Sequence, residues 1–385
     1  MNSVLTLPAD DVSGLTDEHL ALRSRIRDEL DRCVIPHADE WEARGFVSRQ
    51  GWRALGSAGL LEFGHDGEDF LSSAVFLEEL GRTGYAGIRA AVGVHAYMAL
   101  SYLLLFGTAE QQEAYVPAAR RGERIAALAI SEENAGSDLR HLGTRAEPVG
   151  ELGYRVTGRK CHIANGSQAD FFVVLARTGE ERGGRGLSGA SLVIVDADSP
   201  GVSRTPRPML GWHSADVCDV EFSDVAVPAD RLLGRRDKAL MHLMRGLDFE
   251  RLAAGLLAVG GVAHCLELLN RFVRDHQVKD APLAANQAVR HRIAELDSDL
   301  ALVRNYAYHA AWLHSRGRLD TRVASILKLK ATELAVAAAQ TLVQYQGARG
   351  YRDEAAAARL HRDAIAGTIA AGASELLRDL IFEMG

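Results

Sequence analysis

One carboxylate stands where it can do proton chemistry. Glu250 lies in the run Gly246-Leu247-Asp248-Phe249-Glu250-Arg251-Leu252, with only Arg251 between it and the apolar stretch LAAGLLAVGGVA. Apolar surroundings disfavour an ionised carboxyl group and bring its pKa towards the range where it can take and return a proton. The same residue also reads as a first-turn glutamate supporting a helix dipole, or as the ion-pair partner of a neighbouring arginine. Three other patterns resolve to structure. Ser325-Ile326-Leu327-Lys328 has the spacing of a Ser/Lys nucleophile pair, but it falls inside a long helical pattern without companion motifs and reads as helix surface. Gly184, Gly186 and Gly189 match GxGxxG, yet they lead into the strand-like ASLVIVD, not a helix whose N-terminus would hold a pyrophosphate, and read as a hairpin loop. The histidines include no HExxH and the four cysteines (Cys33, Cys161, Cys218, Cys265) no CxxC, so no metal is implied and the cysteines read as buried thiols.

Three zones of different texture position these residues. From Thr16 to about Arg121, apolar residues recur at helical spacing, as in Leu22, Ile26 and Leu30. From about Ile125 to Leu233, short β-branched or aromatic runs (FFVVLAR, ASLVIVD, CDVEFSDVAVP) are broken by Gly, Asp, Asn and Pro, which is strand texture. From Ala239 onward helical periodicity returns, with strong turn signals only around Gln346 to Arg352. We therefore expect an α+β chain of three domains: N-terminal helices over residues 1–122, a central β-domain over 123–236 and a C-terminal helix bundle over 237–385. The segregated order argues against βαβ units and a parallel sheet. An Ala-rich stretch from Ala331 to Ala339 reads as a surface better buried against another subunit.

The 385 residues carry a formal charge of -7, and no basic run exceeds a few residues, so nucleic acid is excluded as a partner. No N-terminal targeting segment is evident, and the apolar stretch Leu252 to Ala263 is too short to span a bilayer, which predicts a cytoplasmic protein with no membrane partner. Preference for Arg over Lys and abundant Ala suggest a GC-rich bacterial genome.

Four segments then carry a resemblance. ALAISEENAGSDLRHLGTRA (Ala127 to Ala146) contains an AGSD run whose small residues suit either a nest for a phosphate or flavin edge, or a plain structural turn. GYRVTGRKCHIANGSQADFFVVLAR reads as a hairpin closed by its NGS turn, and LGWHSADVCDVEFSDVAVPADRLLG ends in a DVxVP crossing out of the β-domain. LVQYQGARGY has Gln344, Gly347 and Gly350 at QxxGxxG spacing and is followed by RLHRDA. In this order, from about Leu15 to Leu380, the segments resemble the acyl-CoA dehydrogenase family of flavoproteins.

The resemblance implies N-terminal helices, a β-barrel-like middle domain and a C-terminal four-helix bundle, with FAD held between the last two and across the interface of a homodimer or homotetramer. It also implies α,β-dehydrogenation of an acyl thioester, carried by coenzyme A or an acyl carrier protein, with electrons passing to an electron-transfer flavoprotein or to oxygen. In much of the family the base is the Glu of a YEGTS segment, which corresponds here to Ala370-Ala371-Gly372-Ala373-Ser374; other members carry it in a GLDxERL segment, which makes Glu250 the catalytic base. The cofactor positions carried over are Leu128, Ile130, Ser131, Gly136, Ser137, His162, Ala164, His276, Gln287, Gln344, Gly347 and Ala348. Substrate positions are Ser137, Asp248, Arg251 and Ala371, the last through its backbone N–H. His162, Ala164, His276 and Ala373 replace the family's usual Trp, Thr, Arg and Thr, so FAD is expected to be loosely held. These replacements keep two other readings in view, a flavin-dependent monooxygenase and a non-catalytic member of the same fold.

Overall fold

The computed structural model describes residues 14–64, 70–150, 152–179 and 187–385. Helices α1 (Asp17–Cys33), α2 (Ala38–Arg44), α3 (Arg49–Ser57), α4 (Phe70–Arg82), α5 (Ala86–Phe106) and α6 (Ala109–Arg120) precede the first strand. Their starts follow from the sequence. Ser48 caps α3 by accepting the Gly51 N–H, and Thr108 with Gln111 forms a capping box on α6. Within α5, residues Gly93–Ala99 form a π-helical stretch.

The sheet contains β1 (Ala126–Ala129), β2 (Arg145–Pro148), β3 (Gly153–Ile163), β4 (Phe171–Arg177), β5 (Ala190–Asp196), β6 (Val202–Pro206), β7 (Cys218–Pro228) and β8 (Leu232–Leu233). The path runs β6-β7-β3-β2-β4-β5-β8, and β1 joins through β4. FFVVLAR lacks polar alternation because β4 is buried on both faces. Phe171, Val173 and Leu175 enter one core with Tyr102, Tyr115 and Leu243, while Phe172, Val174 and Ala176 enter another with Val156, Val220 and Phe222.

Three sheet expectations change. GYRVTGRKCHIANGSQADFFVVLAR is not a hairpin, since β2 lies between β3 and β4 in the sheet. Its NGS turn docks elsewhere: the Asn165 amide donates to the Ala91 carbonyl at 2.8 Å, and its backbone N–H bonds the Ala215 carbonyl. The sheet is mostly antiparallel, but both β1 and β2 run parallel to β4, β1 from Ala126↔Phe171 to Ala129↔Val174 and β2 at Arg145↔Arg177. DVAVP is the second half of β7, and the chain leaves the sheet only after β8. Gly184 and Gly186 lie outside the described residues; the flanking strands β4 and β5 pair antiparallel, Arg177 opposite Ala190.

The remaining elements are α7 (Ala239–Asp275), the two-stranded β9 (Gln277–Val278) and β10 (Ala281–Pro282), α8 (Gln287–Ser315), α9 (Thr321–Gln346), α10 (Ala356–Ile369) and α11 (Ser374–Glu383). The break after α7 escaped the sequence reading. Lys279 and Asp280 both take φ of 49°, so two non-glycine residues make the tight β9–β10 turn. A second missed break follows α8, where Gly317 turns the chain at φ 65° and Asp320 caps α9 through the Val323 N–H. Ala331, Ala338 and Ala339 are buried within the chain itself, where α9 packs on α8, α10 and α11, so the Ala-rich stretch needs no second subunit to cover it. Leu252 to Ala263 is part of a 37-residue helix. Both α7 and α5 are long and apolar enough to cross a membrane, with 78% and 72% of their most apolar windows buried inside the protein.

The chain forms two compact units that do not follow its zones. One comprises α1, α4 and everything from Arg251 onward; the other comprises α2, α3, α5 from Gly87, α6, the large sheet and α7 up to Glu250.

Candidate active site

In the sheet-containing unit, Glu250 lies well inside α7, eleven residues past its start at Ala239, which removes the first-turn reading. Its residue is 5% exposed, with Phe249 and Leu252 buried beside it. A carboxylate taken out of water needs donors. Tyr102, on α5 and fully buried, donates its hydroxyl to Glu250 Oε1 at 2.9 Å. Gly246, one helical turn before Glu250, makes this approach possible, because a Cβ there would lie 2.3 Å from Tyr102 Cζ and Oη. Asp248 is half-buried and Arg251 is buried.

The same unit brings together the ends of β1 and β3. His95, in the π-helical stretch of α5, accepts the Ala126 N–H at Nδ1 (3.0 Å) and donates from Nε2 to the Ala119 carbonyl (3.1 Å), which ties down the start of β1. Burial pushes the His95 pKa down to about 4, which keeps the ring in this neutral form. Beyond the other end of β1, the Ser131 carbonyl accepts the Cys161 N–H at 2.9 Å. The Ile130 carbonyl accepts from Lys160 Nζ at 2.9 Å, and Lys160 also pairs with Glu132 at 2.8 Å. Burial pushes the fully buried Lys160 down to about 8, and the pair with Glu132 keeps it charged at neutral pH. Burial alone would raise Glu132, but Lys160 and the donors at Thr144 and Gly143 hold its carboxyl below the usual range.

The chain then turns tightly, with Glu132 and Ala135 exchanging both backbone hydrogen bonds. Gly136 stays out of the left-handed region, so the run lacks the alternating backbone of an anion nest. Asp138 is taken up by the Arg140 N–H and guanidinium. Gly136 and Ser137 are exposed, and Leu128, Ile130 and Ser131 are half-buried. His162 has φ of 57° at a bulge in β3, which leaves it exposed, and Ala164 follows half-buried. Glu132, Glu133, His141, Thr144, Arg159 and Cys161 line a cavity of about 240 Å³ beside this turn.

In the other unit, His276 follows the last residue of α7, stacked on Phe272 with ring centroids 4.9 Å apart. Gln287 opens α8 next to its cap Asn286. Gln344 is exposed in the last turn of α9, which Gly347 ends at φ 59°, and Ala348 is exposed. Among the described residues, no hydrogen bond or ring contact joins His276 or Gln287 to Gln344, Gly347 or Ala348. Ala371 (φ 53°) and Gly372 (φ 100°) form the turn between α10 and α11. Into that turn reaches Lys328, whose Nζ donates to the Gly372 carbonyl at 2.6 Å. Ser325 and Lys328 are both fully buried, so SILK is not helix surface.

Profiles of three domains match the chain in order: acyl-CoA dehydrogenase, N-terminal domain (16–123), middle domain (127–225) and C-terminal domain (240–384). The chain belongs to the acyl-CoA dehydrogenase family. It is similar to the mitochondrial long-chain specific acyl-CoA dehydrogenase of Rattus norvegicus, at 32% identity over 373 residues, covering 95% of this chain and 86% of that protein. A probable acyl-CoA dehydrogenase of Bacillus subtilis is 31% identical over 375 residues, covering 95% and 97%. The crystal structure of an acyl-CoA dehydrogenase from Geobacillus kaustophilus matches with a TM-score of 0.91 at 31% identity, covering 97% of this chain and 99% of that one. The chain is thus an acyl-CoA dehydrogenase family oxidoreductase, with the family's N-terminal helices, central sheet and C-terminal helices in the expected order.

Proposed function

We propose that this protein dehydrogenates an acyl thioester at its α,β-bond, with Glu250 as the base. The observation that carries the reading is the buried Glu250 carboxylate, held by Tyr102 across the notch at Gly246. Ala371 leaves the family's other base position without an acid. The carboxylate takes the α-proton as the β-hydrogen leaves with its electron pair, and desolvation sharpens the interaction between base and substrate. The resemblance gives the Ala371 N–H the thioester carbonyl, where negative charge builds, and gives Ser137, Asp248 and Arg251 the rest of the substrate.

The residues present fit FAD. Leu128 and Ile130 offer a half-buried apolar ledge, and the hydroxyls of Ser131 and Ser137 have no protein partner among the described residues. Together with His162 and Ala164 these would line the ring system; His276, Gln287, Gln344, Gly347 and Ala348 are the further cofactor positions that the resemblance implies. When bound, FAD supplies the hydride acceptor. Electrons then pass to an electron-transfer flavoprotein or oxygen, in a cytoplasmic homo-oligomer of two or four chains.

Anaerobic titration of the FAD-reconstituted protein with acyl thioesters of coenzyme A and of acyl carrier protein tests the reading. Flavin absorbance should bleach with a thioester of one carrier. Glu250→Gln should retain FAD and slow bleaching by about two to four orders of magnitude. A flavin that no thioester reduces would overturn the function, and unchanged bleaching in Glu250→Gln would remove the base.

A further inference from the structure

Lys328 sits in an SxxK pattern without the chemistry of one. The Ser325 hydroxyl is buried with no hydrogen-bond partner, and no bond joins it to Lys328. The ammonium is committed instead to the Gly372 carbonyl, 44 residues along the chain. That turn is unusual. The Ala370 N–H still closes α10 on the Ala366 carbonyl, but Ala371, which carries a Cβ, stands in the left-handed region. A residue with a side chain keeps such a conformation only where its surroundings impose it. The Ala371 N–H has no protein acceptor among the described residues.

A second cation converges on the turn: Arg251 Nε lies 3.8 Å from where a Cβ on Gly372 would be, and Arg251 is also buried. Burial first, and then the like charge of Arg251, push the Lys328 pKa down to about 8. A neutral donor could hold a carbonyl at smaller cost than a buried ammonium. Lys328, Arg251 and the Ala371 amide thus meet at one turn, with Glu333 and Glu375 as the opposite charges that act on Lys328; an amide left without a protein acceptor suits a site where negative charge develops on a ligand oxygen.

The geometry points to Lys328 as a positioning residue that clamps the Ala371–Gly372 turn so that the Ala371 N–H is presented to the thioester carbonyl. This rests on the function proposed above. Lys328 touches neither substrate nor cofactor and acts through the backbone of Gly372.

The test uses full-length, FAD-reconstituted Lys328→Met, the double variant Lys328→Met/Ala371→Gly, and amide hydrogen exchange across residues 366–377 beside single-turnover flavin reduction. Lys328→Met should speed exchange at the turn about 10-fold or more while other segments stay protected. It should slow reduction about 10- to 100-fold, less than the loss of a donor outright, with the apparent thioester Kd within about threefold of wild type. Adding Ala371→Gly should restore part of both, because glycine takes the left-handed conformation without a clamp; a lysine that merely filled the core would not be rescued this way. If Lys328→Met does not fold, Lys328→Gln, which keeps an N–H donor without the charge, should show the same pattern to a smaller degree. Unchanged exchange, or loosened exchange with an unchanged reduction rate, overturns the proposal. If no thioester reduces the wild-type flavin, the functional reading fails and takes the presentation of a thioester with it, while the exchange data still decide whether Lys328 holds the turn.

Discussion

The hydroxyl of Tyr102 reaches Glu250 Oε1 at 2.9 Å across 148 positions of sequence, and Gly246 leaves the space for it. Two substitutions therefore bear on one hydrogen bond. Tyr102→Phe removes a donor to an ionised group, of order 1.5–3 kcal/mol, while the base itself remains. Thioester-driven flavin reduction should slow about tenfold or somewhat more, well short of the loss in Glu250→Gln. Gly246→Ala, whose new methyl group lands on the tyrosine ring, should slow it at least as much. Stopped-flow absorbance measures both, and a Tyr102→Phe rate equal to wild type would mean that the tyrosine does not orient the base.

Glu250 was legible as a candidate base because the segment that carries the resemblance is local: a carboxylate in GLDFERL just before an apolar run. Its partner was not, because no local pattern links Tyr102 to Glu250. One signal was present, since a glycine one turn before the base, inside a helix, marks a close approach by another group. Lys328 was misread although its position held the clue. It lies four residues after Ala324 and three before Ala331, both fully buried, so it stands on the apolar face of α9. A cation on such a stripe has a buried partner more readily than it has solvent. The false hairpin arose because β2, Arg-Ala-Glu-Pro, has no strand texture of its own, yet it separates β3 from β4.

Cofactor affinity follows from the replaced positions. His162, Ala164, His276 and Ala373 stand where the resemblance puts side chains that touch FAD. Each neutral hydrogen bond removed costs roughly 1 kcal/mol, so affinity should fall by two orders of magnitude or more relative to a family member that keeps them all. Reconstituted protein should shed its yellow colour on gel filtration after dilution. Stoichiometric flavin in the eluted peak would show that other groups compensate.

His95 sets an acid limit on the sheet-containing unit. Its folded-state pKa of about 4 lies below the ordinary 6.5 because burial disfavours the charged ring. Between these values the unfolded chain binds the proton and the folded one does not, so the contribution is whole above pH 6.5 and is lost as pH falls through about 4. The full loss is roughly 3 kcal/mol. Protonation at Nδ1 would also end the bond from the Ala126 N–H. Urea midpoints measured from pH 7 to pH 4.5 should fall, and fall less in His95→Gln; parallel declines in both proteins would assign the acid sensitivity elsewhere.

Lys160 and Glu132 fasten the turn that carries Ser131, and removing only one of them should cost more than altering both. Lys160→Met leaves the Glu132 carboxylate nearly buried, its side chain 10% exposed, with only the Gly143 and Thr144 N–H groups as donors. Breaking a buried pair from one side costs about 3–5 kcal/mol, since the remaining charge is uncompensated. Adding Glu132→Gln removes that charge; the carboxylate meets the Gly143 and Thr144 N–H groups with separate oxygens, so the single amide oxygen keeps only one of these bonds, and the double variant should recover part of the stability but not all of it. The Ile130 carbonyl is deprived of its donor in both proteins, so the end of β1 and Ser131 stay loosened and FAD should bind more weakly in each. Thermal melts of the four proteins of the cycle, read beside FAD titrations, separate the two effects. A double variant no more stable than Lys160→Met would show that the destabilisation comes from the unsatisfied Ile130 carbonyl and not from a stranded carboxylate.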